Sequence, residues 1–206
     1  ISDLVVRVEE LYGAAINELA LHDLGKLQKT RKQVAKVKSQ VEALKDNAFY
    51  FIRSMDENTL HSSRFYLLVI GYLQDMIQSI NFISGASYDH VNNNHKNLKK
   101  SQIADLKNID ESLSELMKLI SNLFESQEFA NLKKVLVKKD VLLSEVNESI
   151  NKQVDRIRNE PSSPKNTTLY FSILLETKDL IEAIMNLLEL YQDFQINVKK
   201  SFSKAT

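Results

Sequence analysis

The stretch that decides the fold is SSRFYLLVIGYLQDMIQSINFI, residues 62–83, because a degenerate copy of it returns as NTTLYFSILLETKDLIEAIMNL at residues 166–187. The two stretches align without a gap, and Tyr66 pairs with Tyr170. The similarity continues upstream of both stretches. Self-similarity at a long period is typical of repeat architectures, so we predict one structural unit written twice.

The composition favours long helices and excludes several classes of protein. The chain has 206 residues, of which 43% are hydrophobic, and only 4 Gly and 2 Pro residues that could interrupt a helix. The absence of Cys excludes disulfides and thiolate metal sites. A formal net charge of +0 provides no field that would attract nucleic acid, and no apolar run is long enough to enter a membrane. Because the first residue is Ile, we also expect a piece of a longer protein.

Hydrophobic periodicity predicts an all-α protein of six helices, arranged as two tandem three-helix repeats. The first repeat covers residues 1–84 and the second covers residues 101–206. Residues 85–100, GASYDHVNNNHKNLKK, form a polar connection, since a run of Asn favours turns and cannot bury apolar surface.

The last helix of each repeat is apolar on more than one face, which predicts a central place in the bundle. Tyr66 and Tyr170 are then expected to be core residues with bonded hydroxyls. Asp75 and its counterpart Asp179 would be half-buried, and a buried carboxylate needs a cation, a donor or a metal ion.

Carboxylates form the main candidate site. Glu42 and Asp46 share a face of the second helix, and a hairpin with the third helix would bring Asp75 within about one turn of Glu42. Such groups suit hard cations, or iron and zinc when a histidine joins them. Alternatively, the glutamates pair with lysines on solvated faces and the aspartates bond neighbouring hydroxyls.

Other candidate chemistry is sparse. His90 and His95, with Asp89, could bind a metal ion, but capping and hydrogen bonding within the loop are the favoured interpretation. No phosphate-binding glycine loop, nucleophile elbow or pair of catalytic carboxylates occurs, so we predict that the protein is not an enzyme.

Three segments carry a resemblance to a known family. They are RFYLLVIGYLQDMIQSINFIS, YDHVNNNHKNL and TTLYFSILLETKDLIEAIMNLLELYQDF. Their order and spacing resemble the PhoU fold of bacterial phosphate-signalling proteins, and more specifically the PhoU-like domain of bacterial sodium/phosphate cotransporters. The resemblance covers nearly the whole chain.

That resemblance implies a soluble regulatory domain that modulates sodium-dependent transport of inorganic phosphate. The domain would lie at the cytoplasmic face of the bacterial inner membrane, as part of a larger membrane protein. Its expected partners are its own transmembrane transporter domain and a second copy in a homodimer.

The resemblance also implies metal binding, because PhoU proteins are associated with iron or zinc sites built from an ExxxD motif. Asp75 and Asp179 match the aspartate of that motif, whereas Gly71 and Leu175 stand at the glutamate position. Glu176 directly follows Leu175, and Glu42 and Asp46 have the ExxxD spacing on the second helix. The candidate metal ligands are Glu42, Asp46, Asp75, Glu176 and Asp179, with iron or zinc as the metal.

Two other classes of protein are also built from helices of this kind. Spectrin-type repeats also have three helices, which would make the chain a structural adaptor without a ligand, although such repeats share a continuous helix across the join. A sensor of a small anion is the other class, and it predicts a basic pocket between helices.

Overall fold

The computed structural model describes residues 1–54, 60–129 and 132–203. These ranges contain six α-helices and no strand. In chain order the helices are α1 (Ser2–Ala20), α2 (Leu24–Arg53), α3 (Leu60–Asn92), α4 (Lys100–Ser126), α5 (Leu132–Asn159) and α6 (Pro164–Ser203). The predicted all-α class and the six helices are therefore confirmed, while the two-repeat arrangement remains an interpretation.

Local chemistry explains the tight break between α1 and α2. His22 adopts a left-handed conformation with a φ of 54°, which turns the chain. Asp23 then caps α2, because its carboxylate accepts a hydrogen bond from the Lys26 backbone N–H at 3.0 Å.

The centre of the bundle is the pair α3 and α6, which pack along each other. Ile80 and Ile83 of α3 and Ile184 of α6 are fully buried in this contact region. α1 and α2 pack on α3, α5 packs on α6, and α1 also packs on α4. The central place predicted for the last helix of each repeat is thus confirmed.

The prediction for Tyr66 is wrong at the beginning of α3. Tyr66 is 42% exposed and Leu67 is 44% exposed, whereas Tyr170, at the matching position of α6, is fully buried. The reason is tertiary: α4 and α5 place the polar groups of Asp105 and Arg156 on Tyr170, whereas Tyr66 has the aromatic ring of Phe51 beside it.

The predicted polar connection also begins too early. α3 continues to Asn92, so only residues 93–99 join it to α4. Ser87, His90 and Val91 are buried, which shows that the packed face of α3 extends well past Gly85. Glycine lowers helix propensity by about 1 kcal/mol, which this packing overcomes. The division into residues 1–84 and 101–206 itself stays a prediction.

Burial follows the predicted pairing of the two halves. In α1 and α4, Val8 and Leu113 stand 105 residues apart and both are buried. The same separation relates Val37 of α2 to Leu142 of α5, which are also both buried. These two pairs agree with the predicted repeat, which stays an interpretation.

One buried hydrogen bond ties α1 of the first half to α6 of the second. The Tyr12 hydroxyl lies 2.8 Å from Thr177 Oγ1, and both side chains are fully buried. Since the Thr177 hydroxyl donates to the Ile173 carbonyl oxygen at 2.7 Å, Tyr12 donates to Thr177. Burial raises the pKa of Tyr12, so the hydroxyl keeps its proton.

None of the described helices combines the length and the apolar character needed to cross a membrane.

Candidate functional site

The fold does not gather the five predicted metal ligands into a centre. Glu42 and Asp46 are exposed on α2, where Glu42 pairs with Lys38 at 3.9 Å. Asp75 and Asp179 are exposed as well, so their predicted half-burial is wrong. Both aspartates lie on exposed faces of the central helices, so neither needs a buried donor or cation. Within the described ranges, no group of three or more His, Asp and Glu side chains could hold a metal ion.

Glu176 is the half-buried member of the five. Burial raises its pKa, the nearby hydroxyl of Ser79 opposes that rise, and the nearby charge of Asp179 adds to it. Ser79 belongs to α3, so this contact joins the two central helices. Of the alternative that the sequence had left open, the pairing of Glu42 with a lysine on a solvated face is the part that the structure shows.

A partly buried polar cluster joins α4, α5 and α6. Asp105 Oδ2 accepts a hydrogen bond from the Arg156 guanidinium at 2.7 Å and another from the Tyr170 hydroxyl at 2.9 Å. The side chains of Asp105 and Arg156 are only 12% and 13% exposed. Burial raises the pKa of Tyr170 to about 12, so its hydroxyl remains a donor at neutral pH. The expectation that Tyr170 is a core residue with a bonded hydroxyl is confirmed.

Buried amides extend this polar cluster. Gln102 Nε2 donates to Gln153 Oε1 at 3.0 Å, and Gln153 Nε2 lies 3.3 Å from Thr167 Oγ1. No pattern in the sequence had been interpreted as predicting these residues. A signal was present, because Gln102 stands seven residues before the buried Ile109 and so falls on the apolar stripe of its helix. A polar residue on such a stripe indicates a buried polar partner.

His90 lies in the last turn of α3, and His95 lies in the loop that follows it. The buried His90 places Nε2 2.9 Å from the Lys96 carbonyl oxygen, and its ring centroid lies 5.1 Å from that of His95. Burial lowers the pKa of His90, and the neighbouring His95 and His22 lower it further. The favoured interpretation, hydrogen bonding within the loop, is therefore confirmed for His90.

A small basic hollow lies beside the beginning of α6. Lys99 and Arg156 both line it, but each already pairs with a carboxylate, and Lys99 lies 2.6 Å from Glu160. The hollow measures about 10 Å³, which is room for about one water molecule. The buried Asn166 Oδ1, which has no hydrogen-bond partner among the described residues, would suit such a water. A site of this size does not fit a polyatomic anion.

An acidic groove runs between α1 and α4. The backbone of Gly13 approaches Asp110 so closely that an added Cβ would lie 3.2 Å from Asp110 Oδ1. This approach partly buries the carboxylate. Burial first, then the charges of Glu9 and Glu111, raise the pKa of Asp110 from 3.8 to about 6, while Lys107 and Lys118 act in the opposite direction.

We expect Asp110→Asn to stabilise the protein at pH 8 by about 1 kcal/mol. Below about pH 3 the carboxyl group is neutral in both states. Between that pH and about pH 6 the unfolded chain ionises first, so the wild type loses stability as the pH rises. Urea unfolding at pH 4 and pH 8 measures the difference, and Asp140→Asn, at an exposed site on α5, is the control. An equal effect of Asp110→Asn at both pH values would contradict the assignment.

The chain is similar in structure to PhoU from Pseudomonas aeruginosa, with a TM-score of 0.74. The match covers 92% of this chain and 90% of that chain. The fold is PhoU-like. Sequence identity is 12%, so this likeness establishes the architecture alone. No protein-family model matches the sequence, and no curated protein matches it either.

The PhoU-like fold is present without the metal site that the sequence resemblance implied. Asp75 and Asp179 are exposed, and Gly71 and Leu175 supply no ligand at the glutamate positions. These residues do not fit a multinuclear metal centre. Metal binding by the five carboxylates stays a prediction without geometric support.

Proposed function

We propose that the chain is a PhoU-like regulatory domain of a sodium-dependent inorganic phosphate transporter and that it modulates phosphate transport. The observation that carries the proposal is the PhoU-like architecture over 92% of the chain. The sequence resemblance at residues 64–84, 88–98 and 167–194 supports the assignment to a transporter. Such a domain would act at the cytoplasmic face of the inner membrane, through contacts with the transmembrane part of the same protein.

The described residues favour regulation by contact over regulation by a bound ligand. The carboxylates are dispersed, and the basic hollow at α6 has room only for about one water. Apolar side chains are exposed at one end of the bundle, including Phe49, Tyr50 and Phe51 at 53%, 73% and 48%. Exposed apolar patches of this kind are common at protein interaction sites.

The structural adaptor alternative has less support. Spectrin-type repeats share a continuous helix across the join, whereas α3 ends at Asn92 and α4 begins at Lys100. Asn94 between them has a left-handed φ of 55°. In addition, α3 and α6 pack side by side, so the two halves share one core and do not extend as a rod.

The test is sodium-dependent uptake of radiolabelled phosphate by cells that express the parent protein with or without this domain. We expect deletion of the domain to change the uptake rate, or its dependence on external phosphate, by about fivefold or more, as typical regulatory couplings do. Western blotting of the membrane fraction controls for the amount of transporter. Unchanged uptake at equal protein levels, or a parent protein that does not transport phosphate, would contradict the proposal.

A further inference from the structure

Three histidines meet where the end of α1, the end of α3 and the connection to α4 come together. His90 is 5% exposed in the last turn of α3, and His95 lies in the loop of residues 93–99. Their ring centroids are 5.1 Å apart. His22 comes from the turn between α1 and α2, and its charge acts on His90. The chain has 4 His residues, so three of them gather at this one end of the bundle.

His90 holds the loop against the end of α3. Its Nε2 lies 2.9 Å from the Lys96 carbonyl oxygen, and because a carbonyl oxygen only accepts, Nε2 carries the proton. The His90 carbonyl oxygen accepts in turn from the His95 backbone N–H at 3.1 Å. Asn94 has a left-handed φ of 55°, which is uncommon for a residue other than glycine. The neutral His90 ring thus fixes a tight turn of the chain.

A second proton on the His90 ring would place a charge in a buried site beside two other imidazoles. Burial first, and then the charges of His95 and His22, lower the pKa of His90, while the Lys96 carbonyl acts in the opposite direction. His22 is constrained as well, because its Nδ1 is buried and has no hydrogen-bond partner within the part of the chain that the structure describes. Protons that bind to this cluster therefore create like charges at short range.

The carboxylates on the adjoining helices do not offset a charge on His90. Asp89 precedes it on α3, is exposed, and lies 3.8 Å from Arg31 of α2. Glu18 stands one turn before His22 on α1. The charges that shift the pKa of His90 are nevertheless those of the other two histidines. An imidazolium at position 90 thus meets like charge and, in residues 1–54, 60–129 and 132–203, no compensating carboxylate.

We propose that these three histidines form a pH-sensitive latch, which holds residues 93–99 against α3 when the rings are neutral and releases them when protons bind. The loop contacts the second half of the bundle at two points. Asn166 Nδ2 of α6 donates to the Asn97 carbonyl oxygen at 2.8 Å, and the Lys99 backbone N–H donates to Gln102 Oε1 at 2.9 Å. Acid therefore loosens α3 from the polar cluster of α4, α5 and α6. The latch consists of contacts within this chain alone, so it stands whatever the domain regulates.

The direction of the pH dependence follows from the lowered pKa of His90. In the released loop the ring is hydrated and binds a proton near the ordinary pKa of about 6.5, whereas in the closed loop it does so at lower pH. The released state binds more protons between these two values, so the closed state loses stability as the pH falls below about 6.5. Asp110 has a raised pKa and acts in the opposite direction, so the stability of the whole protein does not isolate the latch.

Hydrogen exchange of individual amides isolates the loop. The backbone N–H groups of Asn93, Asn94 and His95 are all hydrogen bonded in the closed state. We expect their protection factors in the wild type to fall by about fivefold or more between about pH 7 and about pH 5. Residues 113–124 of α4 should keep their protection within about twofold, which separates local release from acid unfolding. Equal losses in both segments, or constant protection of the loop, would overturn the latch.

His90→Gln separates protonation from packing. The glutamine amide can still donate to the Lys96 carbonyl oxygen, but it binds no proton in this pH range. We expect the loop of this variant to keep its protection between about pH 7 and about pH 5 within about twofold. His61→Gln is the matched control, because residue 61 stands about 43 Å along α3 from His90, and it should show the full wild-type fall. An equal fall in the His90→Gln and His61→Gln variants would contradict the latch.

An NMR titration of the wild type tests the latch without relying on the folding of a variant. The Cε1–H resonance of each imidazole reports its own pKa. We expect the pKa of His90 to lie below the ordinary value of 6.5 and to rise in His95→Gln, since one like charge is then absent. A His90 pKa at or above 6.5 in the wild type would overturn the latch. EDTA is present in all samples, and a pH effect seen only without EDTA would assign the histidines to a metal ion and would also overturn it.

Discussion

Replacement of Asp105 by alanine is expected to lower the free energy of unfolding by about 3–5 kcal/mol. The substitution leaves the guanidinium of Arg156, only 13% exposed, without its carboxylate partner, and it removes the acceptor of the Tyr170 hydroxyl. A buried charge without a partner costs far more than the ion pair itself contributes, because it cannot recover its hydration. Urea unfolding followed by circular dichroism at neutral pH measures the change.

The double variant Asp105→Ala with Arg156→Met distinguishes the unpaired charge from simple loss of packing. Removal of both partners eliminates the stranded guanidinium, so we expect the double variant to be more stable than Asp105→Ala alone by about 2 kcal/mol. A loss below about 1 kcal/mol for Asp105→Ala would mean that water reaches Arg156 and that this cluster is not a buried one.

Truncation of Ile184 to alanine is expected to cost about 3 kcal/mol. Ile184 is fully buried on α6, the helix that packs along α3 at the centre of the bundle. The truncation removes apolar contacts and leaves a cavity that neighbouring side chains fill only in part. Thermal and urea unfolding both report the loss.

Leu175→Ala on the same helix is the control for this prediction. Leu175 is 53% exposed, so the same type of truncation should cost only about 0.5 kcal/mol. Similar losses for the two variants would show that α6 does not lie at the centre of the bundle, in contradiction to the packing described above.

The sequence predicted the central helices more accurately than the site. The apolar character of α3 and α6 was enough to place them at the centre, because a helix that is apolar on several faces has no other stable environment. The inward orientation assigned to Asp75 failed, since a single carboxylate on such a helix can still lie at the seam that reaches solvent. The burial of Gln102 could have been predicted from the sequence, because this polar residue interrupts the apolar stripe of its helix.

The end of α3 shows a second limit. The sequence GASYDHVNNNHKNLKK contains glycine and many polar residues, which predicted a long connection. The helix nevertheless continues to Asn92, because Ser87, His90 and Val91 pack against the rest of the bundle. Local propensity indicated a break that packing energy overrides.

The amino-acid sequence by itself determined the helical class, the six segments and the stripe of each helix that faces inward. These properties depend on the period of 3.6 residues and on the scarcity of glycine and proline, which are local in the chain. Only the tertiary structure decided which of the matching positions in the two halves are buried. Tyr170 is buried and Tyr66 is exposed, although they match in sequence, because burial depends on whether a distant helix such as α4 reaches over the site.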